Sequence, residues 1–144
     1  MHYRCKNFRI EELVSPDFHK RWKGSAWWFI DSGAAHDLDV IRDHFGVSVT
    51  INDWLWNGRY VASGLRQKGD QYFNPTSAHS FGRGFDIKVR GWKSKDVQAE
   101  IKKMKKDGKL KYITRLEVDT DGWTHIDTHN TEPNDDCGLF IFTP

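Results

Sequence analysis

The chain has 144 residues and a formal net charge of +2, with 22 Lys and Arg residues against 20 Asp and Glu residues. This length fits one domain, which we predict to span residues 1–144. The near balance of charge does not favour nucleic acid as a partner, and no apolar run reaches the roughly 18 residues that a membrane span needs. We therefore expect a monomer that is not inserted into a membrane.

The N-terminal stretch MHYRCKNFRI lacks the apolar core of a secretory signal, so we expect synthesis in the cytoplasm. Cys5 and Cys137 lie near opposite ends, and the sequence contains no C-x-x-C motif. This pattern excludes a thioredoxin-type motif and a cysteine-built zinc site. It leaves open a disulfide between the two residues or two free thiols.

The segment DSGAAHDLDVIRDHFG is predicted to form an amphipathic helix. Asp31 or Ser32 is the N-cap candidate, Gly46 is the stop signal, and apolar residues recur at helical spacing between them. The following stretch VSVTINDWLW alternates β-branched and polar residues, which predicts a strand. Residues 57–78 are polar and contain glycines, which indicates a long surface loop.

The stretch SAHSFGRGFDI joins a histidine to an aspartate across two glycines. Phe85 and Ile87 alternate with Asp86, so the end of this stretch is predicted to be a strand with Asp86 on its polar face. The glycines permit tight or left-handed turns that can bring His79 back over the same face. Two potential metal ligands would then converge.

A second helix is predicted from Ser94 to Gly108, with Val97, Ile101 and Met104 on one face. Its lysines are explained by a solvated helix face with cations near the C-terminal end. We therefore do not expect this helix to bind nucleic acid.

The last predicted unit is a hairpin, in which YITRLEV and WTHIDT flank the turn residues 119–122. A type I turn with Gly122 left-handed gives a three-residue loop that pairs Glu117 with His125 and Asp119 with Trp123. Directly opposed residues share a face, so Glu117 and His125 should project together.

At this point the sequence resembles the zinc peptidases of the D-Ala-D-Ala carboxypeptidase type, which share a fold with the hedgehog signalling domain. SAHSFGRGFD is similar to the family signature S-x-H-x-x-G-x-A-x-D, with Gly84 where alanine is usual, and WTHID is similar to W-x-H-x-D. SGLR is similar to the S-G-x-R stretch that precedes the first signature. The resemblance implies that His79, Asp86 and His125 bind zinc and that Arg66 contacts the substrate.

The resemblance also implies a catalytic acid or histidine a few residues before the last ligand. Hairpin facing favours Glu117 as the general base, and Asp119 is the second candidate because it shares that predicted face. Ser77, which begins the first signature, and His129 are further candidates for substrate contacts, although His129 fits a solvated histidine at a strand end equally well. Asp127 is either an acceptor that orients a ligand imidazole or an ordinary strand charge.

The fold that the resemblance implies is α+β, with an antiparallel sheet that carries the zinc site and helices packed on its other face. The implied function is hydrolysis of peptide bonds in peptidoglycan stem peptides, as a carboxypeptidase or an endopeptidase. The chain would then be delivered to the bacterial cell wall, as expected for a phage endolysin or a virion-associated enzyme. The alternatives are a zinc-stabilised binding module without turnover and a phage structural component with the same fold.

Overall fold

The computed structural model describes residues 2–144, and Met1 lies outside the described part of the chain. The fold is α+β, with three α-helices and one mixed five-stranded sheet. The helices are α1 (Pro16–Trp22), α2 (Ser32–Phe45) and α3 (Ser94–Lys106). The strands are β1 (Val49–Thr50), β2 (Gly84–Val89), β3 (Arg115–Glu117), β4 (Thr124–Asp127) and β5 (Phe140–Phe142).

The strands lie in the order β1-β2-β4-β3-β5. Neighbouring strands are antiparallel except β3 and β5, which are parallel. The prediction of an antiparallel sheet is therefore wrong for β5. The polar segment after β4 carries the chain back to the far edge, where Phe140 N donates to Thr114 O and Val118 N donates to Phe142 O.

The sheet has one apolar and one polar face because strand side chains alternate. Phe85, Ile87, Leu116 and Ile126 are at most 1% exposed and form the apolar face. Helix α3 contacts β2 and β4 and contributes Val97, Ile101 and Met104 to the same core. Each such side chain stabilises the fold by about 1.5–3 kcal/mol when it is fully buried. Because burial holds these side chains on the apolar face, the residues that alternate with them must lie on the polar face.

Both helices predicted from the sequence are present. Asp31 caps α2 by accepting a hydrogen bond from Ala34 N at 2.9 Å, and Gly46 ends the helix with a φ of 66°. Helix α3 begins at Ser94 as predicted and ends at Lys106. The strand predicted after α2 is reduced to Val49–Thr50. No helix within residues 2–144 is long and apolar enough to cross a membrane.

The predicted hairpin register is correct at Glu117 and His125, which are paired. The predicted three-residue loop is wrong, because strand pairing stops there and Asp119 adopts a φ of 61°. Thr120 is buried instead. Its carbonyl accepts a hydrogen bond from Ser94 Oγ, and its hydroxyl accepts a hydrogen bond from Gln98 Nε2. These bonds to α3 replace the expected pair between Asp119 and Trp123.

Both cysteines are free thiols. Cys137 is buried, and Cys5 is partly buried and donates to the carbonyl of Ala35. The sequence left open a disulfide or two free thiols, and the structure has two free thiols.

Candidate metal centre

Three separate elements bring His79, Asp86 and His125 together. His79 lies in the 3₁₀ turn Ala78–Phe81, Asp86 lies in β2, and His125 lies opposite Asp86 in β4. His79 Nε2 and His125 Nδ1 are 3.1 Å apart. Asp86 Oδ1 lies 3.0 Å from His125 Nδ1 and 3.3 Å from His79 Nε2. The residues that the sequence analysis named as ligands therefore converge on the polar face of the sheet.

Glycines allow the turn to fold back over the sheet, as the sequence indicated. Gly82 has a φ of 66°, and a Cβ at this position would lie 1.7 Å from Phe29 O, so a side chain cannot be accommodated. A Cβ on Gly84 would lie 2.9 Å from Ala78 Cβ and 3.0 Å from His79 N. The departure from the alanine of the family signature at position 84 thus corresponds to a close approach of turn and strand in this chain.

The second nitrogen of each histidine has an acceptor that determines the tautomer. His79 Nδ1 lies 2.8 Å from the carbonyl oxygen of Gly64, and His125 Nε2 lies 2.7 Å from Asp127 Oδ2. Because these acceptors require an N–H, we assign the protons of the neutral rings to these two nitrogens. The nitrogens that face Asp86 then both carry lone pairs.

The cluster therefore consists of lone pairs that point at one another. Two imidazole nitrogens and a carboxylate oxygen within 3.0–3.3 Å of each other repel unless a cation lies between them. Tetrahedral zinc with bonds of about 2.0–2.1 Å to N and O places neighbouring ligand atoms about 3.3 Å apart. The spacing and donor types of this group fit a metal ion, and two histidines with one carboxylate leave a fourth position open.

The charges in the cluster have clear physical causes in the metal-free chain. Burial opposes a charge on His125, but hydrogen bonds to Asp127 and Asp86 outweigh it and raise the pKa of His125 to about 9. Burial is the largest cause of the lowered pKa of His79. Burial also opposes ionisation of Asp86, but hydrogen bonds from both histidines hold its pKa well below the usual value. A proton on His125 thus occupies the place that a metal ion would take.

Asp127 is fully buried and orients His125. Besides the bond to the imidazole, its carboxylate accepts two hydrogen bonds from Arg115 Nε at 2.8 and 3.0 Å and one from Arg115 Nη2 at 2.7 Å. The Arg115 guanidinium also lies 4.7 Å from the centre of the Phe142 ring. Of the two interpretations of Asp127 from the sequence, the structure favours the first, because Asp127 accepts a hydrogen bond from the imidazole of the candidate ligand His125.

Arg66 lies beside the candidate ligand Asp86. Its Nη2 donates to Asp86 Oδ2 at 3.1 Å, its Nε donates to Ala62 O at 2.6 Å, and its Nη1 donates to Tyr72 O at 3.4 Å. The guanidinium has five N–H donors, so donors remain for a further acceptor. The residue named as a substrate contact is therefore next to the metal cluster and also holds the second oxygen of a ligand.

Glu117 continues the row of ligands across the sheet. Asp86, His125 and Glu117 are directly paired on β2, β4 and β3, so their side chains project from the same face. The carboxylate of Glu117 has no hydrogen bond or ion pair with any of residues 2–144. Burial is the largest cause of the raised pKa of Glu117; among the charged groups, His125 lowers this pKa most and Asp86 raises it most.

The other named residues make their contacts outside the cluster. Asp119 is exposed and lines an open cleft of about 630 Å³ with Trp92 and Trp123, and this cleft includes none of the three ligands. Ser77 caps the turn by accepting a hydrogen bond from His79 N at 3.3 Å. His129 Nε2 lies 3.3 Å from Thr76 O. The structure thus brings Glu117, but not Asp119, into line with Asp86 and His125.

Sequence reasoning did not find two residues that support the site, Gly64 and Arg115. Arg115 was detectable, because the hairpin register that pairs Glu117 with His125 also pairs Arg115 with Asp127. The contact of the Gly64 carbonyl with His79 joins residues 15 positions apart through a loop, and no local pattern indicates it.

Comparisons of the chain with protein-family models, with curated proteins and with solved structures found no match.

Proposed function

We propose that this chain is a zinc metallopeptidase that hydrolyses peptide bonds of bacterial peptidoglycan stem peptides. The observation that carries the proposal is the row Asp86, His125 and Glu117 with His79 above it. It combines three metal-binding atoms at zinc spacing with a carboxylate that has no partner among residues 2–144. The resemblance of SAHSFGRGFD, SGLR and WTHID to the D-Ala-D-Ala carboxypeptidase type supplies the substrate class.

Zinc is the metal that we assign to this donor set. Two neutral imidazoles and one carboxylate suit zinc, whereas magnesium and calcium favour sites made of oxygen ligands alone. Three protein ligands are typical of catalytic zinc sites, since structural sites usually have four. The bonds from Gly64 O and Asp127 to the far nitrogens support this assignment, because such partners orient ligand imidazoles in zinc enzymes.

A zinc ion, when bound, supplies the Lewis acidity that lowers the pKa of water and polarises a peptide carbonyl. Glu117 is the general base in this proposal: it accepts the proton of the attacking water and passes it to the leaving amine. Its partly buried position raises its pKa toward the range that suits this task. Arg66 uses its remaining donors to hold a carboxylate of the stem peptide in two parallel hydrogen bonds.

The same residues support a hedgehog/DD-peptidase-like fold as the finer description of the architecture. The polar face of the sheet carries Asp86 and His125, the 3₁₀ turn beside it carries His79, and α3 packs on the apolar face. Within this proposal, the chain acts on the cell wall as a phage lysis or virion-associated enzyme. Removal of a terminal D-Ala and cleavage of a cross-link both fit the site.

The decisive experiment incubates the purified protein with peptidoglycan and follows the release of new amino groups. We expect one zinc per chain by elemental analysis, and release that stops with a chelator and returns with added zinc. His79→Ala should lose zinc and activity. His44→Ala is the matched control, since His44 lies on the surface and bonds to Glu100.

Each outcome distinguishes the candidates. Zinc bound by the wild type without any release of amino groups would identify a zinc-stabilised binding module or a structural component. Full zinc content in His79→Ala would show that the metal site is wrongly assigned. Release that is unaffected by chelation would exclude a metallopeptidase.

A further inference from the structure

An open cleft with aromatic walls lies beside the turn that carries His79. Its volume is about 730 Å³, and we call it the aromatic cleft, after its lining side chains Trp28, Phe29, Phe73 and Phe81. Trp28 is 66% exposed and Phe81 is 57% exposed. Large aromatic side chains grouped in one exposed concavity are costly to leave in water, and such groups commonly mark binding sites.

The aromatic cleft is structurally continuous with the metal cluster. Phe81 follows the ligand His79 by two residues in the same 3₁₀ turn. The turn packs on the segment that carries Phe29, because Asp31 N donates to Gly82 O at 2.9 Å. A molecule that fills the cleft is therefore held against the ligand-bearing turn.

Arg66 forms a second connection, since it lines the cleft and donates to the ligand Asp86. The aromatic cleft therefore begins at the guanidinium that contacts Asp86.

The charges of the cleft favour a ligand with carboxylates. Arg66, Lys68 and Arg83 line it, and Asp31 is its one acidic lining residue among residues 2–144. The carboxylate of Asp31 is already used, because it caps α2 and accepts a hydrogen bond from Thr128. Lys68 forms no ion pair within residues 2–144. The cleft thus combines flat aromatic faces with cations that are available to carboxylates attached to the group on those faces.

We propose that the aromatic cleft binds the N-acetylated sugar rings to which the stem peptide is attached, so that the preferred substrate is a sugar-linked stem peptide. This inference rests on the proposed function and specifies the substrate of the same site. The C–H groups on one face of a pyranose carry slight positive charge and pack on the negative face of an aromatic ring. A stem peptide of small and charged residues would leave the faces of Trp28 and Phe81 uncovered. Sugar rings cover these faces, and the attached peptide then lies at Arg66.

The first test is binding of a neutral tetramer of N-acetylglucosamine, which contains no peptide, measured by calorimetry on the zinc-loaded protein. Trp28→Ala and Phe81→Ala should each weaken binding about tenfold, which corresponds to about 1.4 kcal/mol. Trp56→Ala is the matched control, because Trp56 is 60% exposed and does not line the cleft. This variant should bind as the wild type does.

The second test compares hydrolysis of a disaccharide-linked pentapeptide with that of the free pentapeptide. Trp28→Ala should raise the KM for the linked peptide about tenfold and leave the kinetics of the free peptide unchanged. Equal loss for both substrates would show that the cleft binds peptide, and no loss for either would show that it binds neither; both outcomes overturn the proposal. Binding of the tetramer that depends on Trp28, in a protein without peptidase activity, would support the cleft and refute the proposed peptidase.

Discussion

Replacing Asp127 with asparagine removes the negative charge that holds the Nε2 proton of His125. Asp127 is fully buried, lies 2.7 Å from His125 Nε2 and accepts three hydrogen bonds from Arg115. Loss of a partner that orients a ligand imidazole typically lowers metal affinity about tenfold to a hundredfold. This loss corresponds to about 1.4–2.8 kcal/mol of zinc binding free energy.

The same substitution should also destabilise the metal-free protein. Removing one partner of a buried ion pair costs about 3–5 kcal/mol, and we expect about 3 kcal/mol because the Arg115 side chain is 21% exposed and stays partly hydrated. Asp37→Asn is the matched control. Asp37 is equally buried and accepts hydrogen bonds from the backbone N–H groups of Tyr112 and Ile113 at 2.7 and 2.8 Å, away from the cluster.

Two measurements separate the effects: zinc titration against a chromophoric chelator, and urea unfolding of the metal-free proteins. Asp127→Asn should lose both zinc affinity and free energy of unfolding, whereas Asp37→Asn should lose only the latter. Wild-type zinc affinity in Asp127→Asn would refute the argument that Asp127 selects the tautomer in which His125 binds metal through Nδ1.

Three further predictions follow from the site. Glu117→Gln should lower turnover about a hundredfold to ten-thousandfold with zinc retained. Asp119→Asn, in the neighbouring cleft, should turn over substrate at a rate near that of the wild type. The reverse result would assign the role of general base to Asp119. Because the pKa of His125 is raised from 6.5 to about 9 in the metal-free chain, the stability that its protonation contributes is full below about pH 6.5 and is lost as the pH rises through about 9. Zinc displaces this proton, so zinc affinity should rise between about pH 6.5 and pH 9. Calorimetry in buffers of different ionisation enthalpy should detect about one released proton near pH 7. Zinc binding without proton release would contradict the assignment of His125 as a ligand. Gly84→Ala should lower the free energy of unfolding by about 1–3 kcal/mol through overpacking against the turn. Gly24→Ala is the control and should keep the wild-type free energy of unfolding, because a Cβ at this position meets nothing within 4 Å. Equal thermal stability of the two variants would show that the turn moves to accommodate the added Cβ.

Local patterns in the sequence were sufficient for several elements. The N-cap candidates Asp31 and Ser32 and the stop at Gly46 bounded α2 correctly, and the structure decides for Asp31 as the cap. The start of α3 at Ser94 was also correct. The alternation around Asp86 predicted β2, and hairpin symmetry predicted the pairing of Glu117 with His125. These features depend on residues close in the chain, whose spacing alone determines the face on which each side chain lies.

Contacts between distant segments decided the rest. No local periodicity relates the parts of the chain that three contacts join. These contacts are the parallel pairing of β5 with β3, the hydrogen bond of Thr120 with Gln98 in α3, and the shared cleft of Trp28 and Phe81. The same is true of the His79 contact with the Gly64 carbonyl, which fixes a tautomer. The sequence by itself determined which residue types could bind a metal and on which strand faces they lie. Only the tertiary structure decided which nitrogen of each ring faces Asp86. For His79 that choice depends on the Gly64 carbonyl, which a distant loop supplies, and for His125 it depends on Asp127, whose carboxylate is held by Arg115 from the neighbouring strand.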